Sequence, residues 1–211
     1  MIALDYPVAL RLAEKTVLLV GGGGVASKRA MQLVEAGTRL RVVAERPSAE
    51  IRAFARSGAI DLREREWTAE DCAGVFVAFA ATDSHEVNAE VVREARARGV
   101  LANACDRPEL CDFFVPAIGR RGTVTIAVST AGAAPGLARA LRDRAMAAIG
   151  PEWGALARLL RTLRRDWPSG AGRIAALERV LKSDAAAHFA RGDRKGAFAA
   201  VRESLAWGEP R

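Results

Sequence analysis

The sequence predicts an α/β fold: a doubly wound parallel sheet, then a small β element, then a C-terminal helical domain. Three observations carry that reading. Apolar runs of strand length alternate with amphipathic runs of helical length through the first half of the chain. A run of four glycines, Gly21 to Gly24, joins the first such strand to the first such helix. From Pro151 onward the pattern is helical throughout.

Tyr6 to Leu10 reads as an extended lead-in, and Val17 to Val20 as a buried strand bounded by glycine. After the glycines comes an amphipathic helix with apolar positions at Val25, Ala26, Ala30, Leu33 and Val34, stopped by Gly37. Leu40 to Ala44 is a second strand, ending on Glu45 and Arg46. Ser48 caps a helix over Ala49 to Ser57, with Gly58 as its stop, and Ile60 to Arg63 is a short third strand. Val75 to Ala81 is nearly all apolar, as a parallel strand covered on both faces should be, and it delivers Thr82, Asp83 and Ser84. A helix from Val87 to Arg98 and a strand from Val100 to Asn103 follow, the latter leading to Cys105 and Asp106. Phe113 to Ile118 and Thr123 to Ser129 read as two strands joined by a basic turn over residues 119–122. Pro135 opens a helix that runs to Ile149. Helices over Trp153 to Arg165, Arg173 to Lys182, and Ala185 to Trp207 with a break near Gly192 complete the chain; Pro168–Ser169–Gly170 is a turn between two of them.

The alternation fits a Rossmann-type sheet, whose ligands lie in the crevice beyond the carboxyl ends of the strands. Three polar clusters fall on that edge: the glycine loop, Thr82–Asp83, and Asn103 to Asp106. Gly21, Gly23 and Ala26 match the G-x-G-x-x-G/A dinucleotide fingerprint. The first glycine permits the turn, the second admits a pyrophosphate, and the small third residue lets helix pack on strand. Glu45 lies 24 residues after Gly21, where this fold holds a ribose hydroxyl with a carboxylate. That acid favours NAD over NADP by repelling a 2′-phosphate, although adjacent Arg46 blunts the argument.

Composition sets the remaining bounds. Half of the 211 residues are hydrophobic, so the chain folds around a core. No apolar run reaches the ~20 residues of a membrane span. The N-terminal stretch carries Asp5 and lacks the basic region and long apolar core of a signal peptide, which predicts a soluble, cytoplasmic protein. Three cysteines without C-x-x-C spacing argue against a disulfide framework or a zinc site, and no metal site is expected. The net charge of +7 is lopsided: residues 1–112 hold 15 basic and 17 acidic side chains, residues 113–211 hold 17 and 8. The basic half suits a polyanionic partner. No nucleic-acid-binding motif or aromatic stacking platform accompanies it, so nucleic acid is not the expected partner.

Several stretches together resemble the precorrin-2 dehydrogenase family, including the N-terminal module of siroheme synthases. These are Tyr6 to Leu10, Val17 to Ala26, Ala80 to Asp83, Asn103 to Asp106, Cys111 to Ile118, and Val128 to Arg142. Their order and spacing cover about residues 5–150. The resemblance implies NAD-dependent oxidation of precorrin-2, a polycarboxylate tetrapyrrole, to sirohydrochlorin by a homodimer. It implies Asp106 as the catalytic base, with Asp112 and Asp83 as rivals from the residues alone. NAD contacts map onto Gly24, Val25, Glu45 and Arg46, beside Gly21, Gly23, Thr82 and Asp83. Arg120, Arg121, Arg139, Arg142 and Thr130 are the nearest candidates for substrate carboxylates, while Asn103 serves either substrate or its own turn. Residues 1–112 then form the NAD-binding domain, 113–150 a dimerisation and substrate element, and 151–211 a helical domain. Some family members also insert Fe²⁺. Two alternatives stand beside the dehydrogenase: the same enzyme also acting as a ferrochelatase, and a non-catalytic NAD-sensing module.

Overall fold

The computed structural model describes residues 5–105, 107–163 and 171–205. Asp106, the expected turn at 168–170, and the expected helix ends at Arg165 and Trp207 lie outside the described residues. Contacts divide the chain into two compact units, Met1–Val115 and Pro116–Arg211.

In the first unit five strands form one parallel sheet: β1 (Thr16–Val20), β2 (Arg39–Val43), β3 (Ile60–Arg63), β4 (Val77–Ala80) and β5 (Leu101–Ala104). Their order is β3-β2-β1-β4-β5. Helices α1 (Gly24–Glu35), α2 (Ala49–Arg56) and α3 (His85–Ala97) connect them. The alternation of side chains along each strand divides the core in two. Val17 and Leu19 of β1 pack with Ala26, Ala30 and Leu33 of α1 and Ile51 of α2. Leu18 and Val20 pack on the other face with Val91, Val92 and Ala95 of α3. The strand order reverses between β1 and β4, so the crevice of a doubly wound sheet opens there.

The second unit opens with an antiparallel hairpin, β6 (Ala117–Arg121) and β7 (Val124–Val128), followed by α4 (Pro135–Ala147). The hairpin departs from the sequence expectation. Gly119 and Gly122 were expected to bracket the turn, yet Arg121 pairs with Val124, leaving a two-residue turn at Gly122–Thr123. Gly119 sits within β6 because a Cβ there would collide with Met146 of α4. The segment from Phe113 is also not strand: its ring packs edge-on against Phe79 of β4, centroids 5.5 Å apart. Helices α5 (Pro151–Leu163), α6 (Ala171–Lys182), α7 (Ala185–Ala190) and α8 (Arg194–Ser204) form a separate core around Leu156, Val180, Ala185 and Val201. Among the described residues no helix is long and apolar enough to cross a membrane.

Candidate functional site

A cavity of about 680 Å³ opens at the carboxyl ends of β1, β2 and β4. Its lining includes Gly21, Gly22 and Gly23, Glu45 and Arg46, Arg65 to Trp67, and Thr82 to Ser84. Each part of that lining has a local cause.

The four glycines divide into two pairs. Gly21 has φ +131°, a region that L side chains avoid, and a Cβ there would strike the Ala81 carbonyl beyond β4. A Cβ at Gly22 would fall 2.8 Å from Pro47 Cα in the loop after β2. These two glycines are dictated by backbones pressed together at the switch point. At Gly23 and Gly24 an added Cβ would meet nothing within 4 Å. There the absent side chain leaves open space instead.

Gly23 is the N-cap of α1, and no side chain caps this helix or places an acid in its first turn. The first N–H groups of a helix have no partner within it, and the helix dipole adds partial positive charge at that end. The neighbouring helices are finished differently. Ser48 accepts from the Ile51 N–H (3.2 Å) and Ser84 from the Val87 N–H (3.2 Å), with Glu50 and Glu86 in the respective first turns. The open end of α1, bordered by two glycines that screen nothing, fits a pyrophosphate. Glu45 and Arg46 are exposed at the end of β2, where a ribose hydroxyl would be held. Val25, also expected to touch the cofactor, is exposed in the first turn of α1. The residues present therefore fit a dinucleotide.

The loop after β4 is fixed by a residue that the sequence reading missed. Asn88 is buried in α3. Its Oδ1 accepts from the Thr82 N–H at 3.0 Å, and its Nδ2 donates to the Thr82 carbonyl at 3.0 Å. This pair of bonds holds Thr82 and exposed Asp83 at the cavity rim. The available signal was an asparagine on the helix stripe otherwise formed by Val91, Val92 and Ala95.

Two of the expected polar residues carry bonds that hold the fold itself. Asn103 is buried in β5, and its amide donates to the Phe113 carbonyl at 2.8 Å, which binds the turn back onto the sheet. Asp112 pairs with Arg96 at 2.7 Å and accepts from the Ala102 N–H at 2.9 Å. Burial works to raise its pKa, but these two partners prevail and hold the carboxyl below the usual range, so Asp112 is a poor base. Burial does raise the Cys111 thiol. The Cys105 N–H donates to the Ala80 carbonyl (2.9 Å) and the Arg107 N–H to the Ala104 carbonyl (3.3 Å). β5 ends at Ala104, on the same edge of the sheet as the glycine loop after β1.

The remaining candidates belong to the second unit. Arg120 and Arg139 are exposed on β6 and α4. The Thr130 hydroxyl accepts from the Ala134 N–H at 3.1 Å, ahead of α4. Arg121 donates to the Ile149 carbonyl at 3.0 Å, and Arg142 to Asp143 at 2.8 Å. Among the described residues no group of three or more His, Cys, Asp or Glu is arranged to hold a metal ion.

Comparison with known proteins agrees with this geometry. The chain is similar to the siroheme synthase of Methylococcus capsulatus, 39% identical across 97% of this chain and 46% of that protein. It is also 39% identical to siroheme synthase 1 of Aeromonas salmonicida, across 92% of this chain and 43% of that protein. It thus spans less than half the length of these relatives. A solved structure described as SirC, precorrin-2 dehydrogenase, superposes with a TM-score of 0.69 at 24% identity, covering 95% of this chain and 97% of that one, and so shares the fold. Residues 8–117 match the family model for putative NAD(P)-binding domains, and with the glycine loop, the bare helix end and Glu45 in register, the chain belongs to that NAD(P)-binding family.

Proposed function

We propose that the chain oxidises precorrin-2 to sirohydrochlorin with NAD⁺, as a cytoplasmic homodimer. The observation that carries this reading is the cavity at the switch point. It combines an open helix N-terminus with Glu45 at the end of β2, in a chain similar along nearly its whole length to siroheme synthases.

The oxidation removes a hydride and a proton from the macrocycle. Bound NAD⁺ supplies the hydride acceptor. The chain's own residues do the rest. N–H groups at Gly23, Gly24 and Val25 face the pyrophosphate, Glu45 holds the ribose hydroxyl, and Thr82 and Asp83 bound the cavity on the β4 side. Asp106, following β5, takes the proton. Glu45 excludes a 2′-phosphate and so favours NAD over NADP. Arg120, Arg139 and Thr130 meet substrate carboxylates, with charge-assisted bonds from the arginines. The hairpin and α4 form the dimerisation element, so residues 113–150 act as a functional segment between the NAD-binding domain and the helices.

The test is anaerobic incubation with precorrin-2 and NAD⁺, followed by the sirohydrochlorin spectrum. Wild type is expected to turn over. Asp106→Asn should bind NAD⁺ with unchanged affinity and lose about 10²–10⁴-fold in rate, the range of a general base. Failure of wild type to oxidise with either NAD⁺ or NADP⁺ would sink the proposal. Full activity in Asp106→Asn would remove that residue from the chemistry. Adding Fe²⁺ to the completed reaction reports whether the same chain inserts the metal.

A further inference from the structure

Among the described residues of the first unit, one buried charge has no part in the chemistry above. Asp71 is fully buried in a 3-10 turn, Ala69–Cys72, beyond β3. A lone carboxylate there would be costly, and donors from Arg63, Arg65 and Thr68 converge on it. Arg63 reaches Oδ1 at 2.9 Å and Arg65 reaches Oδ1 at 2.7 Å. Oδ2 accepts from Arg65 at 2.8 Å and from the Thr68 N–H at 3.0 Å. Burial alone would raise its pKa; these donors overcome it and hold the group at about 2.

What the carboxylate fixes is the chain between its donors. Arg65 and Thr68 bond to the same oxygen, and Trp67 stands between them. Arg65 also donates to the Glu66 carbonyl at 2.7 Å, which ties down the one remaining residue of the segment. Trp67 is half-buried: it packs against the core cluster that includes Val91 and Val92, and it also lines the cavity. The segment follows β3, which lies on the far side of β2 from β1. In this fold the acid after β2 marks the adenosine half of a dinucleotide. A rigid indole on that flank offers a flat apolar face where a purine would come to rest.

We propose that Trp67 is a contact for the adenine end of the dinucleotide, and that Asp71 is the positioning residue that sets it there by pinning Arg65 and Thr68. The inference rests on the NAD(P) reading of the cavity. Its test therefore separates adenosine from nicotinamide, using the full chain and two fragments, ADP-ribose and nicotinamide mononucleotide, beside NAD⁺.

Trp67→Leu should weaken NAD⁺ and ADP-ribose by about tenfold each, within the range of losing one base–aromatic stack, and leave the mononucleotide unchanged. Trp67→Phe, which keeps a ring, should restore both affinities to within about threefold. It should also abolish the quenching of tryptophan emission on binding. Asp71→Asn should reproduce the ADP-ribose loss while acrylamide gains access to Trp67. Trp67→Phe keeps the core volume close to native, so the placement stays testable if Asp71→Asn fails to fold. Trp67→Leu binding ADP-ribose like wild type, or losing the mononucleotide equally, would overturn the placement of Trp67 alone, and Asp71→Asn binding ADP-ribose like wild type would overturn its positioning role. Wild type that binds neither NAD⁺ nor ADP-ribose would overturn the placement and the cavity's cofactor reading together.

Discussion

Helices α1 and α3 both begin beside the same cavity, each at the carboxyl end of a parallel strand, yet they begin in opposite ways. In α3 the Ser84 hydroxyl accepts from the Val87 N–H and Glu86 occupies the first turn. The Glu86 carboxyl is held below its usual range by its own backbone N–H and by Ser84. That helix neutralises its own positive end. In α1 the cap is Gly23, with neither a side-chain acceptor nor an acid. Its positive end is left for something else to neutralise. The two helices share architecture, so the difference is chemical, and the end of α1 is the one of the two that suits an anion.

Substitutions can break or sharpen that contrast. The largest effect is expected from Gly21→Ala, which forces a side chain into the left-handed region and against the Ala81 carbonyl. Strain and overpacking together should cost roughly 3 kcal/mol or more, read by denaturant unfolding, with dinucleotide binding lost as well. Gly23→Asp is the sharper probe. The position has φ −83° and open space, so an aspartate fits and gives α1 the finish that α3 already has. Stability should rise by a few tenths of a kcal/mol while NAD⁺ affinity falls by about tenfold or more, as measured by titration calorimetry. If affinity is unchanged, the open end of α1 is not the anion site. The smallest effect belongs to Ser48→Ala, which uncaps α2: about 1 kcal/mol of stability and no change in NAD⁺ affinity.

The contrast was half legible in the sequence. The glycine loop, Glu45 and the run from Val17 to Val20 announced the βαβ unit, because they depend on local backbone demands and on spacing along one strand. β3 ran over the expected residues, Ile60 to Arg63. The fingerprint gave Gly21 the turn and Gly23 the approach of a pyrophosphate, but the steric demand on Gly21 and Gly22 was hidden, because it comes from Ala81 and Pro47, residues distant along the chain. Gly119 misled for the same reason: it is small to admit Met146 of α4, not to make a turn. Asn103 read equally well as ligand or scaffold until its bond to Phe113 was visible. Trp67 and Asp71 gave a local hint in the Thr68-x-x-Asp71 spacing. Their relation to the cavity needed the sheet to bring β3 beside β2.

The close approach of Gly21 to the Ala81 carbonyl has a bearing on how this protein can vary. Nothing larger than hydrogen fits at Gly21 against the Ala81 carbonyl, so that point of the crevice floor admits no side chain and keeps one spacing. Glu45 and Arg46, exposed at the rim, meet no such restriction. A relative with a different taste in nucleotides would keep the floor and rewrite the rim.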